Sequence, residues 1–239
     1  MWKGKKVSVV FSTYNEKESI RYCIEDFFAS GFVDEIIVVN NNAVPGTDDE
    51  VKKTKAKLFH EKKQGYGWGY RRGLKEATGD IIIMSEPDGT FLGKDVPKLL
   101  EYSDDFDVVF GTRTVVATIL SGANMGFFLK WGNWFVAKLM EVLFWTTHLS
   151  DAGCTMRLIH KKALRRIEHK FRSGGSYFGL EMMLIVITSG LSFIEIPVHY
   201  NKRIGKSSVT GSFWKAFKLG LQMIWQIIKY RIKTIFKKT

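Results

Sequence analysis

Short apolar runs alternate with longer amphipathic stretches through the first half of the chain. Lys6-Val7-Ser8-Val9-Val10-Phe11 predicts a strand, and Asn15-Glu16 opens a helical stretch to about Ser30. Asp34-Glu35-Ile36-Ile37-Val38-Val39 predicts a second strand, ended by Asn40-Asn41-Asn42, and a short helix starts near Asp48. Lys57-Leu58-Phe59-His60 is a third strand. Gly65-Tyr66-Gly67-Trp68-Gly69 precedes a helix to Thr78. Ile81-Ile82-Ile83-Met84 and Asp107-Val108-Val109-Phe110 continue the strand series. Strands and helices alternating at this spacing predict an α/β fold with a mostly parallel central sheet. Ligands then bind beyond the carboxyl ends of the strands.

The pattern changes after Val115. The segment to Leu149 is apolar and aromatic, but Lys130, Lys138 and Glu141 interrupt it, so a membrane-spanning helix is not expected. Thr155–Ile159 and Leu191–Ile196 predict later strands, with a helix around Gly179–Thr188. In the tail, Phe217, Leu221, Ile224, Trp225, Ile228, Ile232, Ile235 and Phe236 recur at helical spacing. Lys218, Gln222, Gln226, Lys229, Lys233 and Lys237 fall on the opposite side. Basic charge opposite Trp, Phe and Ile is the pattern of a helix lying in a membrane interface. A helix packed on its own domain or on a partner has the same periodicity. The division expected is a catalytic domain over 1–210 and a basic amphipathic helix over 211–239.

Charge sharpens that division. The net charge is +12, yet Asn201–Thr239 holds ten Lys or Arg and no acid, so the tail carries +10 and the rest only +2. A general nucleic-acid reading of the basic balance is therefore weak. Two cysteines, Cys23 and Cys154, give neither a disulfide framework nor metal-ligand spacing. The amino-terminal residues lack the apolar stretch of a signal peptide, so the expectation is a non-exported protein.

Candidate chemistry centres on Glu86-Pro87-Asp88, directly after the Ile81 strand. Two acids there are poor core material, because burying either unpaired costs several kcal/mol. They suit a hard divalent cation, which takes one or two carboxylates plus phosphate oxygens. Alone, the pair is equally turn chemistry, since Asp88-Gly89 favours a turn. Four further motifs accompany it: Ser12-Thr13-Tyr14-Asn15-Glu16, Asn40-Asn41-Asn42, Gly65–Gly73, and Asp151-Ala152-Gly153-Cys154-Thr155-Met156-Arg157. The glycine-rich stretch allows close backbone approach at a helix start, where N–H groups favour phosphate, and glycines equally permit tight packing.

Together, in this order, the motifs resemble the family 2 glycosyltransferases of GT-A fold, nearest the polyprenol-phosphate sugar synthases typified by dolichol-phosphate mannose synthase. The resemblance covers about residues 6–210. It implies a Rossmann-like sheet with helices on both faces and a C-terminal amphipathic helix. It places a nucleoside diphosphate sugar (GDP- or UDP-hexose) against Thr13, Asn15, Glu16, Asn41, Gly65, Arg71 and Lys206. Mg²⁺ or Mn²⁺ is implied at Glu86 and Asp88, and phosphate contacts at Arg113, Lys130 and Arg203. Asp151 takes the position of an inverting base or of a carboxylate that orients the acceptor. Arg157 and Glu181 are expected either as a structural ion pair or in catalysis.

The implied activity is metal-dependent, inverting transfer of a hexose to a lipid phosphate by a protein peripheral to the cytoplasmic membrane face. Two alternatives stay open. One is transfer to a hydroxyl of a glycan or glycolipid, for which Asp151 must be a true base. The other is a non-catalytic basic scaffold for membrane or nucleic acid, although no nucleic-acid recognition motif occurs. Self-association is open, because the 115–149 segment suits a subunit contact or a membrane-facing groove.

Overall fold

The computed structural model describes residues 1–123, 126–205 and 213–236. Seven strands form one sheet: β1 (Val7–Thr13), β2 (Glu35–Asn40), β3 (Lys57–His60), β4 (Ile81–Ser85), β5 (Val108–Thr112), β6 (Arg157–His160) and β7 (Phe193–Pro197). Their order is β3-β2-β1-β4-β6-β5-β7. All neighbouring pairs are parallel except the two that involve β6, which runs antiparallel between β4 and β5. The α/β sheet expected from the sequence is present. The reversal at β6 is not visible in its composition, because a strand buried on both faces is apolar whichever way it runs.

Period-two alternation decides which layer each strand residue joins. Val7, Val9 and Phe11 pack with α1 (Ile20–Ala29), α2 (Thr47–Lys52) and α4 (Val96–Tyr102). Val10, Ile37, Ile82 and Met84 face the other layer. That layer contains α3 (Tyr66–Glu76), α5 (Phe127–Phe144), α6 (Lys161–Ile167), α7 (Phe178–Thr188) and α8 (Phe213–Phe236). Helices thus cover both faces. Each buried Ile or Val of the central strands contributes about 1.5–3 kcal/mol through burial.

One acid lies at the opposite end of the sheet from the candidate motifs. Glu35 is buried, and burial alone would raise its pKa. Hydrogen bonds from Ser8, Lys57 and Thr78 outweigh that cost and hold the carboxyl well below its usual range. The charge stays because its partners are complete.

The tail helix differs from the single apolar stripe expected. Among the described side chains of α8, Met223 and Ile227 are the buried ones and join the core beside α5 and α7. Leu221, Trp225, Ile228, Ile232, Ile235 and Phe236 remain exposed. The helix has one apolar edge toward the domain and a second toward solvent. Neighbouring α5 adds exposed Trp131, Trp134, Phe135 and Val142 and ends at Trp145, which is 89% exposed. No helix among the described residues is long and apolar enough to cross a membrane.

Candidate active site

The motifs converge where β1 meets β4. The chain leaves β1 toward β2 on one side, and β4 lies on the other, so a crevice opens beyond their carboxyl ends. Ser85 ends β4, and Glu86-Pro87-Asp88 turns at the mouth. Gly89 has φ 79°, a left-handed conformation that suits glycine, and it turns the chain back under Ile204.

Asp88 is completely buried. Its Oδ1 accepts the Thr90 backbone N–H at 2.9 Å and the Thr90 hydroxyl at 2.5 Å. Its Oδ2 lies 2.5 Å from Arg203 Nη1 but has no partner in hydrogen-bond geometry. Glu86 stands beside it, with Oε2 3.8 Å from the same nitrogen. Desolvation and the neighbouring Asp88 charge raise the Glu86 carboxyl above its usual range, against the pull of Arg203 and Arg113. Two adjacent acids and an oxygen short of a hydrogen bond fit a divalent cation completed by phosphate oxygens. Among the described residues, no group of three His, Cys, Asp or Glu could hold a metal unaided.

Ser85 Oγ, Tyr66 Oη and Thr155 Oγ1 are also buried without hydrogen-bond partners. Tyr66 feels the charges of Glu86 and Arg157. Orphaned polar atoms cost roughly 1–3 kcal/mol each, and two of these, on Ser85 and Tyr66, lie near the acid pair. Ser85 carries no sequence signal of its own, since an isolated hydroxyl has no periodicity, and Thr155 has one only as a member of the Asp151–Arg157 motif. Tyr70, within the Gly65–Gly73 motif but given no role there, donates its hydroxyl to the Ser85 carbonyl at 2.7 Å and fixes the end of β4.

On the β1 side, Thr13 is buried and Asn15 is exposed just beyond the strand. Glu16 Oε2 accepts the N–H groups of Tyr14 and Asn15 at 2.7 and 2.9 Å, with Thr13 Oγ1 at 3.3 Å. Its Oε1 faces Arg203 Nη2 at 3.2 Å. Glu16 therefore points toward the acid pair as well as lying beside the expected nucleoside pocket.

Asn41 braces the loop before α3. Its amide donates to the Glu61 and Lys63 carbonyls, and its Oδ1 accepts the Gly65 N–H at 2.8 Å. The Gly65 donor is thus committed within the protein. The Trp68 N–H points to Gly174 O at 3.3 Å. A Cβ at Gly67 would lie 2.7 Å from Ser173 O, at Gly69 2.0 Å from Ser12 Oγ, and at Gly73 2.3 Å from Val10 Cγ1. These glycines allow α3 to sit directly on β1 and on the 173–175 loop, the tight-packing alternative. Arg71 lies over the Trp68 ring, 4.5 Å from its centre.

The other wall is built on β5 and the loop before β6. Asp151 is buried and fully engaged. Its oxygens accept Arg113 Nε at 2.8 Å, Arg113 Nη2 at 2.9 Å, and the N–H groups of Arg113 and Gly153 at 3.0 Å. Burial opposes its ionisation, but the Arg113 guanidinium prevails and holds the carboxyl below its usual range. Glu195 of β7, whose place in an apolar strand carries no sign of a role, braces this loop. It accepts the backbone N–H groups of Ser150 and Asp151 at 2.6 and 3.0 Å. Burial pushes its carboxyl up to about 7.

A Cβ at Gly153 would lie 2.4 Å from Asn133 Oδ1 and 2.9 Å from Arg113 Nη2, so α5 approaches the ion pair closely. Lys130 lies one turn before Asn133 on that helix. Lys206 falls outside the described residues.

The expected Arg157–Glu181 pair is not formed. Arg157 is buried and donates to the carbonyls of Cys154, Ala152 and Gly179, with its guanidinium near the Phe110 ring. Glu181 accepts the N–H groups of Arg172 and Ser173. Backbone dipoles replace the ion pair for both residues, which leaves them structural. The cysteine expectation is met in part: both thiols are free and buried, and burial pushes each up to about 12.

Comparisons with known proteins agree with this geometry. The family described as glycosyl transferase family 2 matches residues 8–168. The low-salt glycan biosynthesis hexosyltransferase Agl6 of Haloferax volcanii is 29% identical over 208 residues, which cover 85% of this chain and 49% of Agl6. The chain thus spans about half of that relative's length. An uncharacterized glycosyltransferase of Mycobacterium bovis is 28% identical over 232 residues, covering 94% of this chain and 99% of its own.

Among solved structures, glucosyl-3-phosphoglycerate synthase from Mycobacterium tuberculosis, in complex with Mn²⁺, UDP and phosphoglyceric acid, superposes with a TM-score of 0.74 at 15% identity. The match covers 95% of this chain and 79% of that one. The same enzyme with Mg²⁺ and UDP gives a TM-score of 0.70 at 14% identity, covering 95% and 79%. At these identities the likeness establishes the fold.

Proposed function

The chain belongs to glycosyl transferase family 2 and is a glycosyltransferase of GT-A fold; from that premise we propose that it moves a hexose from a nucleoside diphosphate donor to a phosphate carried by a membrane lipid, with a divalent metal at Glu86 and Asp88. The observation that carries the reading is the pair of neighbouring acids at the β4 mouth, one with a buried oxygen lacking a hydrogen-bond partner. The mycobacterial synthase, crystallised with Mn²⁺ or Mg²⁺ and UDP, supports a metal and a nucleotide here.

Glu86 and Asp88 would hold Mg²⁺ or Mn²⁺, whose chemistry is to neutralise charge gathering on the departing diphosphate. Thr90 fixes Asp88 Oδ1, so Oδ2 is left facing the crevice. Thr13, Asn15, Glu16 and Asn41 line the nucleoside side. The bond that forms joins an acceptor phosphate oxygen to the anomeric carbon. The bond that breaks joins that carbon to the diphosphate, and attack from the opposite face inverts the configuration. Arg113, Lys130 and Arg203 supply the positive charge that gathers the phosphate groups.

Asp151 favours this acceptor over a hydroxyl. A hydroxyl needs a base with a free oxygen, whereas both Asp151 oxygens are committed to Arg113 and nearby N–H groups. A phosphate acceptor is already ionised and needs an oriented cation, which the Asp151–Arg113 pair provides. The exposed aromatic residues of α5 and α8, with basic α8 free of acids, support a lipid surface as the source of the acceptor.

The test is Asp88→Ala. Wild-type protein is expected to gain thermal stability from a UDP- or GDP-hexose only with Mn²⁺ present, and to glycosylate a polyprenyl phosphate in vesicles. The variant should lose both, with turnover down about a hundredfold or more, since such charge stabilisation supplies several kcal/mol. Retention of transfer and of metal-dependent donor binding by a folded variant would refute the site.

A further inference from the structure

Arg203 stands where the acids of the site require a cation. Its Nη2 faces Glu16 Oε1 at 3.2 Å, while Nη1 lies 2.5 Å from Asp88 Oδ2 and 3.8 Å from Glu86 Oε2. Arginine normally meets one carboxylate with two parallel hydrogen bonds. Here the guanidinium is stretched between acids from two loops, and its buried Nε has no hydrogen-bond partner. Asp88 Oδ2 has none in good geometry either, despite the short contact. The group therefore acts as a positive charge filling a space rather than as a fork matched to one acid.

The backbone that carries it is fastened. Ile204 N–H donates to Asp88 O and Asn201 N–H to Thr90 O, both at 2.8 Å. Upstream, the His199 N–H and ring are both held by buried Asp95, at 2.6 and 2.8 Å. Glu16 is fixed through its other oxygen by the Tyr14 and Asn15 N–H groups. With acids and backbone anchored, the Arg203 side chain is the part free to leave.

We propose that Arg203 is a tethered cation that bridges Glu16 to Glu86 and Asp88 and competes with the divalent ion for the latter two, so that the ion enters with a nucleoside diphosphate rather than alone. This rests on the metal reading above. A bare ion must displace a charge held at high effective concentration by its own chain, and the displaced guanidinium gains no new partner. An ion that arrives with a diphosphate brings phosphate oxygens, the group a guanidinium matches best. The exchange is then compensated on both sides. Arg203 changes partner from carboxylates to diphosphate as the donor binds, and an unproductive metal-only state stays sparsely populated.

The experiment is a Mn²⁺ titration of the full chain followed by electron paramagnetic resonance of the free ion, with Arg203→Gln, Arg203→Lys and the double variant R203Q/D88N beside wild type. Folding of each is checked by melting temperature. Without nucleotide, R203Q should bind Mn²⁺ about tenfold tighter than wild type, and the added D88N should abolish that gain. R203K, too short to span Glu16 and Asp88 together, should gain about threefold and serves where R203Q is poorly folded. With UDP or GDP present the order should reverse, wild type binding the ion more tightly than R203Q. No tightening for the bare ion in either single variant overturns the inference. If wild type still takes up Mn²⁺ with UDP or GDP, the metal reading stands and only the competition fails. If no variant takes up Mn²⁺ even with nucleotide, both fail.

Discussion

Asp151 illustrates how burial and partners assign a role that residue type leaves open. An acid at that position of the sequence is equally a base or an orienting group. In the fold it has no free oxygen, and its pKa is held below the carboxylate range by Arg113 against the cost of burial. A base must accept a proton near neutral pH, which this group resists. A depressed pKa means its stabilising contribution is complete above the ordinary carboxylate range and is lost in acid as the group protonates. Asp151→Asn should therefore lower stability by about 3–5 kcal/mol at neutral pH, the usual cost of breaking a buried ion pair. Residual turnover should keep the same dependence on pH, with weaker acceptor binding. A pH–rate profile that loses its acid limb in the variant would instead identify a base. Glu86 and Asp88 were legible as candidates because two acids after a buried apolar strand have few structural uses, whereas Glu16 and Arg203 were candidates only through the family resemblance. That Glu16 and Arg203 meet was not legible, since 187 residues separate them.

Strands and helices were legible to different degrees. Val7–Thr13, Glu35–Asn40 and Ile81–Ser85 announced themselves as buried apolar runs, and each appears within two residues of its expected ends. Helices α4 and α6 were missed, because seven residues hold fewer than two full turns of periodicity. Helix α5 was missed as a helix because apolar residues surround it almost completely, which erases the stripe. The glycines of α3 have a concrete cost of change. Gly73→Ala would drive a methyl to 2.3 Å from Val10 Cγ1 on a central strand, where neither side can retreat. Urea unfolding should show a loss of about 1–3 kcal/mol, typical of an overpacked core, with the slope unchanged. A loss near zero would mean that α3 is not seated on β1 as described.

At the scale of the molecule, charge and apolar surface are segregated. Ten of the cations lie in the last 39 residues, and α8, with its exposed apolar edge, packs against α5, which also carries exposed aromatics. Such a surface is expected to sediment with anionic vesicles and to release at high salt, since interfacial helices combine burial with attraction to acidic headgroups. Replacing Trp225 and Ile232 together by Glu should weaken vesicle binding tenfold or more, because each apolar group immersed is worth about 1.5–3 kcal/mol. Met223 and Ile227 are untouched by that change, so the melting temperature should stay within a few degrees. Equal sedimentation of the variant would assign the exposed edge to another partner.

The clasp between Arg113 and Asp151 has one more consequence. The chain has just left β5 at the first of these residues and is six residues short of β6 at the second, so the excursion between them is closed at its neck. Loop-closure entropy grows slowly, about 0.6 kcal/mol for each doubling of length. A change of length in that excursion therefore costs little entropy, but α5 within it cannot be exchanged freely, because its Val136, Ala137 and Met140 are part of the core that supports the sheet.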